Sequence, residues 1–296
     1  MSAKSDRLST GISGLDERMG GGLIPGTMTV LVGSSGIGKT QFGLEYLNAG
    51  LNQEGSRGVI FDMTARGDSQ NHRDYAERLF GWTPMEEDAE RRFQSDRFFS
   101  ADYSVGDYFC ALAGHGKRVT RRDLDFDAWR DWQSSLSRRL DAAISFFFTH
   151  FSRGVRRVLI DGIEPVAHQG DSIQFELLEY IYHLILQKDP DWVARDLFRQ
   201  DYRRYEDAIR DRLYPKGSVG TLVSYTSPET SLESLIDKRF EEGDLLAAAN
   251  TIIYLGKIRD GSRFRRALYV AKHRGSVCPD EILFYEITDR GLTLTD

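Results

Sequence analysis

The sequence has few cysteines, no long apolar run and no excess of positive charge, and each absence excludes a class of protein. Its two cysteines, Cys110 and Cys278, form no CxxC pair, so they indicate free thiols of a reducing compartment rather than a disulfide framework or a metal site. The densest apolar patch, residues 142–148, is far too short to span a bilayer. The sequence therefore predicts a cytoplasmic protein with no membrane segment.

The charge balance argues against a nucleic-acid partner. The chain has 39 basic and 45 acidic residues, a formal net charge of −6, and presents no overall basic field to a phosphate backbone. A local patch at Arg263, Arg265 and Arg266 leaves that alternative open. With 296 residues, 28% of them charged, and no internal repeat or low-complexity linker, the composition predicts one globular domain over residues 1–296.

A glycine-rich stretch lies between an apolar run, residues 28–32, and a segment of helical character, residues 41–51. It has the P-loop pattern, in which backbone N–H groups and a helix N-terminus face phosphate oxygens. In that pattern Lys39 reaches the outer phosphates and Thr40 holds Mg²⁺, so we predict a nucleoside triphosphate site rather than a ligand-free glycine turn. The predicted binding residues of this stretch are Gly33, Ser34, Ser35, Gly36, Ile37, Gly38, Lys39, Thr40 and Gln41.

Two further apolar runs contain a carboxylate at or near their ends, as buried parallel strands often do. Residues 58–63 include Asp62, and residues 155–161 end at Asp161. After a P-loop, the second run has the form of a Walker B segment, so we predict that Asp161 holds Mg²⁺ directly or through water. The alternative is a strand-end carboxylate that caps the next turn.

The remaining pattern alternates helices and strands before it changes to hairpins. The stretch at residues 189–216 has apolar residues near helical spacing, which predicts an inserted helix that packs one face on the body. Asp-Gly at 260–261 predicts a hairpin, and Asp-Arg-Gly at 289–291 predicts a second one more weakly. We also expect helices at 73–80, 173–186 and from a cap at Asp123 to 151, strands at 98–99 and 221–225, and a loop or helix start at 86–90.

Five short motifs carry a family resemblance. They read LSTGISGLD at 8–16, GGGLIPG at 20–26, FGW at 80–82, KHRGS at 272–276 and ITDRG at 287–291. The chain resembles the KaiC and RadA branch of RecA-like ATPases over most of its length, and the last two motifs are similar to KaiC in particular. The resemblance implies an α/β fold of the RecA-like P-loop class, with a mostly parallel central sheet flanked by helices and C-terminal antiparallel hairpins.

What the resemblance implies for function is ATP with Mg²⁺, bound between the subunits of a homo-oligomeric ring that is typically a hexamer. Lys272 and Arg274 match a pair that reaches the neighbour's phosphates, and Asp289 falls in a motif of the nucleotide site. A cation supplied in trans is a known way to stabilise charge in phosphoryl transfer. Spacing alone favours surface charges on an exposed strand face of a hairpin for Lys272 and Arg274, and the resemblance reverses that preference.

One departure from the family concerns the two adjacent glutamates that follow the second strand, one of which positions the attacking water. Gapless counting puts Thr64 and Ala65 there, and a shift of two residues gives Asp62 and Met63. Asp62 is thus the first candidate for orienting water, with Glu164 and Asp68 as further ones. The predicted catalytic set is Lys39, Asp62, Asp161, Lys272 and Arg274, and the expected hydrolysis is slow.

The expected function is a nucleotide-dependent regulatory ring that hydrolyses ATP slowly, with a protein partner bound through the inserted helix. The alternatives are a scaffold that binds ATP without turnover and, less in keeping with the acidic charge balance, a DNA recombination or repair ATPase. Autophosphorylation at Ser224, Thr226 or Ser227 is a further family property to be considered.

Overall fold

A single mixed β-sheet organises the chain. The computed structural model describes residues 7–64, 72–112, 125–165, 172–237 and 248–295. The strands within these ranges are β1 (Met28–Gly33), β2 (Val59–Asp62), β3 (Glu86–Glu87), β4 (Tyr108–Cys110), β5 (Arg157–Ile163), β6 (Gly220–Thr226), β7 (Thr251–Asp260), β8 (Arg263–His273), β9 (Leu283–Thr288) and β10 (Gly291–Thr295). Their order across the sheet is β10-β9-β8-β7-β1-β6-β5-β2-β4-β3.

The sheet is parallel from β3 to β7 and antiparallel from β7 to β10. Every residue of β1, β2 and β5 is buried, as expected for parallel strands covered on both faces. This arrangement confirms the predicted α/β class with a mostly parallel sheet and C-terminal hairpins. The carboxyl ends of β1, β6, β5 and β2 therefore lie side by side at one edge of the fold.

Helices cover both faces of the sheet. They are α1 (Leu15–Arg18), α2 (Lys39–Gln53), α3 (His72–Phe80), α4 (Phe126–Phe151), α5 (Ile173–Ile181), α6 (Pro190–Phe198), α7 (Tyr202–Arg210) and α8 (Leu232–Asp237). One core layer lies under α2 and includes Phe42 and Leu159, and the other includes Phe61 and Phe147 beneath α4. None of the helices in the described ranges is long and apolar enough to cross a membrane.

The lead-in before β1 is fixed by one carboxylate. Asp16 accepts hydrogen bonds from the Ser9 hydroxyl (2.6 Å) and from the backbone N and hydroxyl of Thr10 (2.8 and 2.7 Å). Leu8 and Leu23 exchange backbone hydrogen bonds, both at 2.8 Å, which close this segment into a loop. The first family motif is therefore explained by structure: its polar residues hold the entry to β1 rather than face a ligand.

Two predicted elements are wrong, and one has a corrected start. Phe98 and Phe99 lie in turns, because their rings pack edge-on and stacked against Phe198 instead of lining a strand. Of the two alternatives for residues 86–90, the helix start is wrong, because the short strand β3 is followed by an irregular segment and a turn. Helix α4 is capped by Asp125, which accepts from Ala128 N at 2.8 Å, whereas the expected cap Asp123 lies outside the described residues.

The insertion at residues 189–216 is two helices rather than one. Asp189 caps α6 and Pro190 occupies its first turn. Arg199 then adopts φ +50°, which ends the α-helix, and α7 starts three residues later after a short 3-10 turn, Arg199–Asp201. Val193 of α6 and Ile209 of α7 are buried in the same core cluster as the sheet residues, so both helices pack on the body.

Candidate nucleotide-binding site

The P-loop lies where β1 ends and α2 begins. Gly36 and Gly38 have φ values of +74° and +113°, which only glycine adopts without strain. A Cβ at Gly36 would meet no atom within 4 Å, so there is open space beside this residue. The first turn of α2 has no acidic residue to occupy its N-terminus. The backbone is thus arranged to accept an anion at the positive end of a 15-residue helix.

Lys39 lies inside this loop. Its Nζ donates to the backbone carbonyls of Gly33 and Ser34, both at 2.9 Å, and 6% of the residue is exposed. Burial lowers the pKa of Lys39 to about 8, against the attraction of Asp161, which raises it. The ammonium is held by neutral carbonyls alone, so a phosphate group that replaced them would stabilise its charge.

Thr40 and Asp161 meet across the sheet edge. The Thr40 hydroxyl donates to Asp161 Oδ2 at 2.8 Å, which joins the start of α2 to β5. Both groups are hard oxygen ligands of the kind Mg²⁺ prefers. No cluster of three or more His, Cys, Asp or Glu suited to a metal occurs in the described ranges, so the donor set fits an ion that keeps waters and takes its other ligands from phosphates.

His72 is a residue of this site that the sequence reasoning missed. Its Nε2 lies 2.9 Å from Asp161 Oδ2, and its Nδ1 lies 3.6 Å from Asp62 Oδ2. Burial opposes a charge on His72, but the hydrogen bond to Asp161 and the attraction of both carboxylates raise its pKa. A lone histidine at the start of an amphipathic helix gives no signal that it bridges two strand ends.

Asp62 lies beside Asp161, since the two residues pair in the β2–β5 register. Its Oδ1 accepts from the backbone N (2.8 Å) and the hydroxyl of Thr64, and its Oδ2 accepts from the Tyr108 hydroxyl at 2.5 Å. With 4% of the residue exposed, Asp62 is close to the predicted metal site but its oxygens already have protein partners. Of the other candidates, Glu164 follows β5 and Asp68 lies outside the described residues.

The C-terminal strands close one side of the P-loop. The Tyr285 hydroxyl donates to Ile37 O at 2.7 Å, and a Cβ at Gly38 would lie 3.0 Å from Ile287. Asp289 lies in the exposed turn that follows β9, two residues after Ile287. Gln41 Nε2, near the start of α2, is buried with no hydrogen-bond partner among the described residues.

Arg274 lies toward the end of the sheet opposite the P-loop, and Lys272 is level with the middle of β1. In the β7–β8 register Lys272 is opposite Ile252, and β7 pairs Ile252 with Val30 of β1. Arg274 N donates to Asn250 O at 3.0 Å, and Asn250 N donates to Met28 O at 2.9 Å. Arg274 is therefore level with the start of β1, roughly 16 Å of strand from the P-loop at its other end. Neither cation belongs to the P-loop of its own chain.

The three residues considered for phosphorylation differ in access. Ser224 within β6 and Ser227 just beyond it are buried, with 0% and 2% exposed, whereas Thr226 at the carboxyl end of the strand is half-buried. Burial argues against Ser224 and Ser227 as acceptors in the folded protein.

Comparison with known proteins agrees with this geometry. A family model described as "ATPase: KaiC" matches residues 8–101, which span the lead-in, the P-loop and β2. The circadian clock protein KaiC2 of Synechocystis is 37% identical over 186 residues, 60% of this chain. The chain is similar to KaiC ATPases. It is also 25% identical over 297 residues to the circadian clock oscillator protein KaiC of Synechococcus elongatus, an alignment that covers 97% of this chain.

A solved structure gives the same fold. The KaiC-like protein of the archaeon Pyrococcus horikoshii superposes with a TM-score of 0.51 at 17% identity, over 98% of this chain and 99% of that one. The RecA-like fold of the KaiC-like domain is thereby confirmed. The chain spans 27% of the length of the Synechocystis protein and 44% of that of Synechococcus.

Proposed function

We propose that this KaiC-like domain binds ATP with Mg²⁺ at the P-loop and hydrolyses it slowly. The observation that carries the proposal is the meeting of Lys39, Thr40 and Asp161 at the N-terminus of α2, where Lys39 Nζ is 2.9 Å from Gly33 O and Thr40 Oγ1 is 2.8 Å from Asp161 Oδ2. Phosphoryl transfer needs positioning and charge neutralisation more than covalent chemistry from the protein, and these groups supply both.

Each residue has a defined task in this proposal. Lys39 leaves its two carbonyl partners and neutralises the outer phosphates, and the backbone N–H groups of residues 34–40 bind phosphate oxygens. Thr40 and Asp161 are the residues that would hold Mg²⁺, which neutralises charge on the β- and γ-phosphates when bound. His72 keeps Asp161 in place through its 2.9 Å contact.

We further propose that the site is shared between subunits of a homo-oligomeric ring, with a hexamer as the expected size. The support is that Arg274 is level with the start of β1 and Lys272 with Val30, away from the P-loop of their own chain, so a second copy could bring them to its phosphates. An exposed cation delivered by a neighbour would link nucleotide occupancy to assembly. The ring would act as a regulatory switch whose state follows the bound nucleotide.

A scaffold that binds ATP without turnover is the second candidate. It is favoured by the local chemistry of Asp62, whose oxygens are occupied by Thr64 and Tyr108, and by the absence of the paired glutamates from the family position. In that case nucleotide would stabilise the assembly by mass action alone.

The inserted helices are the proposed site for a protein partner. Trp192 on α6 is 59% exposed, and Arg195 lies over its ring at 5.6 Å and over Tyr202 at 4.3 Å. Trp, Arg and Tyr are the residue types that contribute most of the binding energy at protein interfaces.

Phosphate release by the purified protein, measured with and without Mg²⁺ beside ATP affinity, tests the proposal. A slow, Mg²⁺-dependent release that Lys39→Ala removes supports the ATPase. Tight ATP binding with no release supports the scaffold, and absence of ATP binding contradicts both.

A further inference from the structure

The peptide unit between Ile37 and Gly38 lies in the P-loop and is in contact with strand β9. The Tyr285 hydroxyl of that strand donates to Ile37 O at 2.7 Å. A Cβ at Gly38 would lie 3.9 Å from the Tyr285 ring and 3.0 Å from Ile287, two residues further along the strand. One strand therefore contacts both residues of this peptide.

The contact between the hydroxyl and the carbonyl is buried. Tyr285 is 2% exposed and Ile37 is 1% exposed. Burial raises the pKa of the Tyr285 hydroxyl, so the group stays protonated and remains a donor at neutral pH. A buried carbonyl oxygen is stabilised by a hydrogen-bond partner, and loss of this hydroxyl would remove the partner that Ile37 O has here.

This contact sets the direction of a backbone donor. The peptide is trans and planar, so its C=O and its N–H point in opposite directions. Because Ile37 O points to Tyr285, the N–H of Gly38 points away from β9. That N–H makes no hydrogen bond with the described part of the chain. Backbone N–H groups of a P-loop are the groups that bind phosphate oxygens, so a donor is left available for this task.

Gly38 does not fix that direction by itself. It has φ +113°, and without a Cβ it opposes neither orientation of the peptide that precedes it. A flipped peptide would bring the Ile37 carbonyl oxygen to the side that now has the N–H, where it would repel an anion. A partner outside the loop is therefore needed to favour one orientation, and the Tyr285 hydroxyl is in place to do so.

We propose that Tyr285 is a positioning residue of the nucleotide site: it holds the peptide between Ile37 and Gly38 so that Gly38 N–H faces the phosphates of ATP. Strand β9, 248 residues further along the chain, thereby preorganises the P-loop before the nucleotide binds. This proposal rests on the ATP binding proposed above and adds a residue that determines its strength.

The test compares Tyr285→Phe with Tyr46→Phe, a matched control. Tyr46 is also buried, and its hydroxyl donates to Gly220 O at 3.0 Å, at the end of β6 opposite the P-loop. Each variant thus loses one buried hydroxyl bonded to a backbone carbonyl. We expect Tyr285→Phe to bind ATP about tenfold more weakly, as when the binding orientation falls from nearly all molecules to about a tenth of them. Tyr46→Phe should bind ATP within about twofold of the parent, and urea denaturation shows whether the two variants lose similar stability.

Tripolyphosphate separates an effect on the phosphates from an effect on the base, since it has the phosphate chain without a nucleoside. Its inhibition constant, obtained by displacement of fluorescent ATP, should rise in Tyr285→Phe by the same factor as the dissociation constant of ATP. A weaker affinity for ATP with unchanged affinity for tripolyphosphate overturns the role, because Tyr285 would then act on the base. Equal losses of ATP affinity in Tyr285→Phe and Tyr46→Phe also overturn it, because lower stability would explain both.

The parent gives a further test that needs no variant. Tripolyphosphate should slow hydrogen exchange of the Gly38 amide, and exchange that is unchanged at saturation overturns the proposal. Equal ATP affinity of the parent and Tyr285→Phe overturns the role of Tyr285 and leaves the nucleotide site intact. A parent that binds neither ATP nor tripolyphosphate overturns the proposed function and this role with it.

Discussion

Arg157 and Glu54 form a buried, two-point ion pair that ties three segments of the chain together. The distances are 2.7 Å from Nε to Oε2 and 2.8 Å from Nη2 to Oε1, and the Arg157 side chain is completely buried. Arg157 also donates to the backbone oxygens of Ser9 (2.6 Å) and Tyr46 (2.7 Å). One guanidinium thus joins β5, the end of α2 and the lead-in loop, which sets the spacing between P-loop helix and sheet.

Removing Arg157 should destabilise the fold. Arg157→Ala leaves Glu54 as an unpaired buried charge, and we expect a loss of about 3–5 kcal/mol in the free energy of unfolding. Urea denaturation measures it. The control is Arg18→Ala, because Arg18 pairs with Glu281 at 2.9 Å on the surface and should contribute about 0–1 kcal/mol. Equal losses for the two variants would show that burial of the Arg157 pair is not what matters.

Lys39→Ala and Thr40→Ala should separate phosphate binding from metal binding. Lys39→Ala removes the cation that neutralises the outer phosphates, so ATP affinity should fall by about 100-fold or more with or without Mg²⁺. Thr40→Ala should weaken chiefly the gain in affinity that Mg²⁺ provides. Titration of fluorescent ATP with and without the metal checks both, and unchanged affinity in Lys39→Ala would exclude the P-loop as the nucleotide site.

Glu45 predicts a pH dependence of stability. Burial raises its pKa from 4.5 to about 8, against the hydrogen bond from Leu292 N at 2.5 Å, which lowers it. The folded state therefore binds this proton more tightly than the unfolded chain, and the contribution to stability is complete below pH 4.5 and declines as the pH rises to about 8.

Glu45→Gln should remove that decline. We expect the variant to match the parent near pH 4 and to be more stable by roughly 2–4 kcal/mol above pH 8, as measured by urea denaturation at each pH. Glu17→Gln, at an exposed position of α1, should follow the parent throughout. A difference between Glu45→Gln and the parent that does not vary with pH would contradict the assignment.

A mixture of two inactive variants tests the shared site. Lys39→Ala lacks the P-loop cation and Arg274→Ala lacks the cation proposed to act on a neighbour, so each alone should release little phosphate. Mixed assemblies contain interfaces in which an intact P-loop meets an intact Arg274, and phosphate release should recover to roughly a quarter of the parent rate if mixing is random. Light scattering with and without ATP follows assembly, and a protein that stays monomeric at every ATP concentration would exclude the trans role.

Trp192→Ala tests the partner surface on the insertion. The ring is 59% exposed, so its loss should leave stability within about 0.5 kcal/mol and ATP affinity unchanged. A partner captured by the parent in pull-downs should be lost, because exposed tryptophan in an Arg and Tyr setting is a typical interface anchor. The control is Leu184→Ala, because Leu184 is also an exposed apolar residue but lies outside the insertion.

The sequence predicted the parts of this fold that depend on local signals. Glycine spacing predicted the P-loop, and continuous apolar runs predicted the buried strands β1 and β5. Asp-Gly at 260–261 predicted the hairpin between β7 and β8. The break of the insertion at Arg199 was missed, because the residue that leaves the helical region there is not the glycine that such a conformation favours.

Local sequence patterns did not predict the contacts between segments that are distant in the chain. His72 reaches Asp161 from the start of α3, and Ser227 reaches Gly33 from the end of β6. Both contacts follow from the order of strands in the sheet, which decides which strand ends are neighbours. An account of the site from residue types alone could name Asp161 but not its histidine.

The separation of the P-loop from Arg274 along the sheet gives each subunit two unlike ends. If one end holds the nucleotide and the other serves the neighbour, the contact is head-to-tail and has a direction. A protomer defective at one end alone would still join an assembly, and it would inactivate the nucleotide site at only one of its two contacts with neighbouring protomers. The activity of the assembly would then fall in proportion to the fraction of such protomers added. A head-to-tail assembly that failed to close would grow as a filament instead of stopping as a ring.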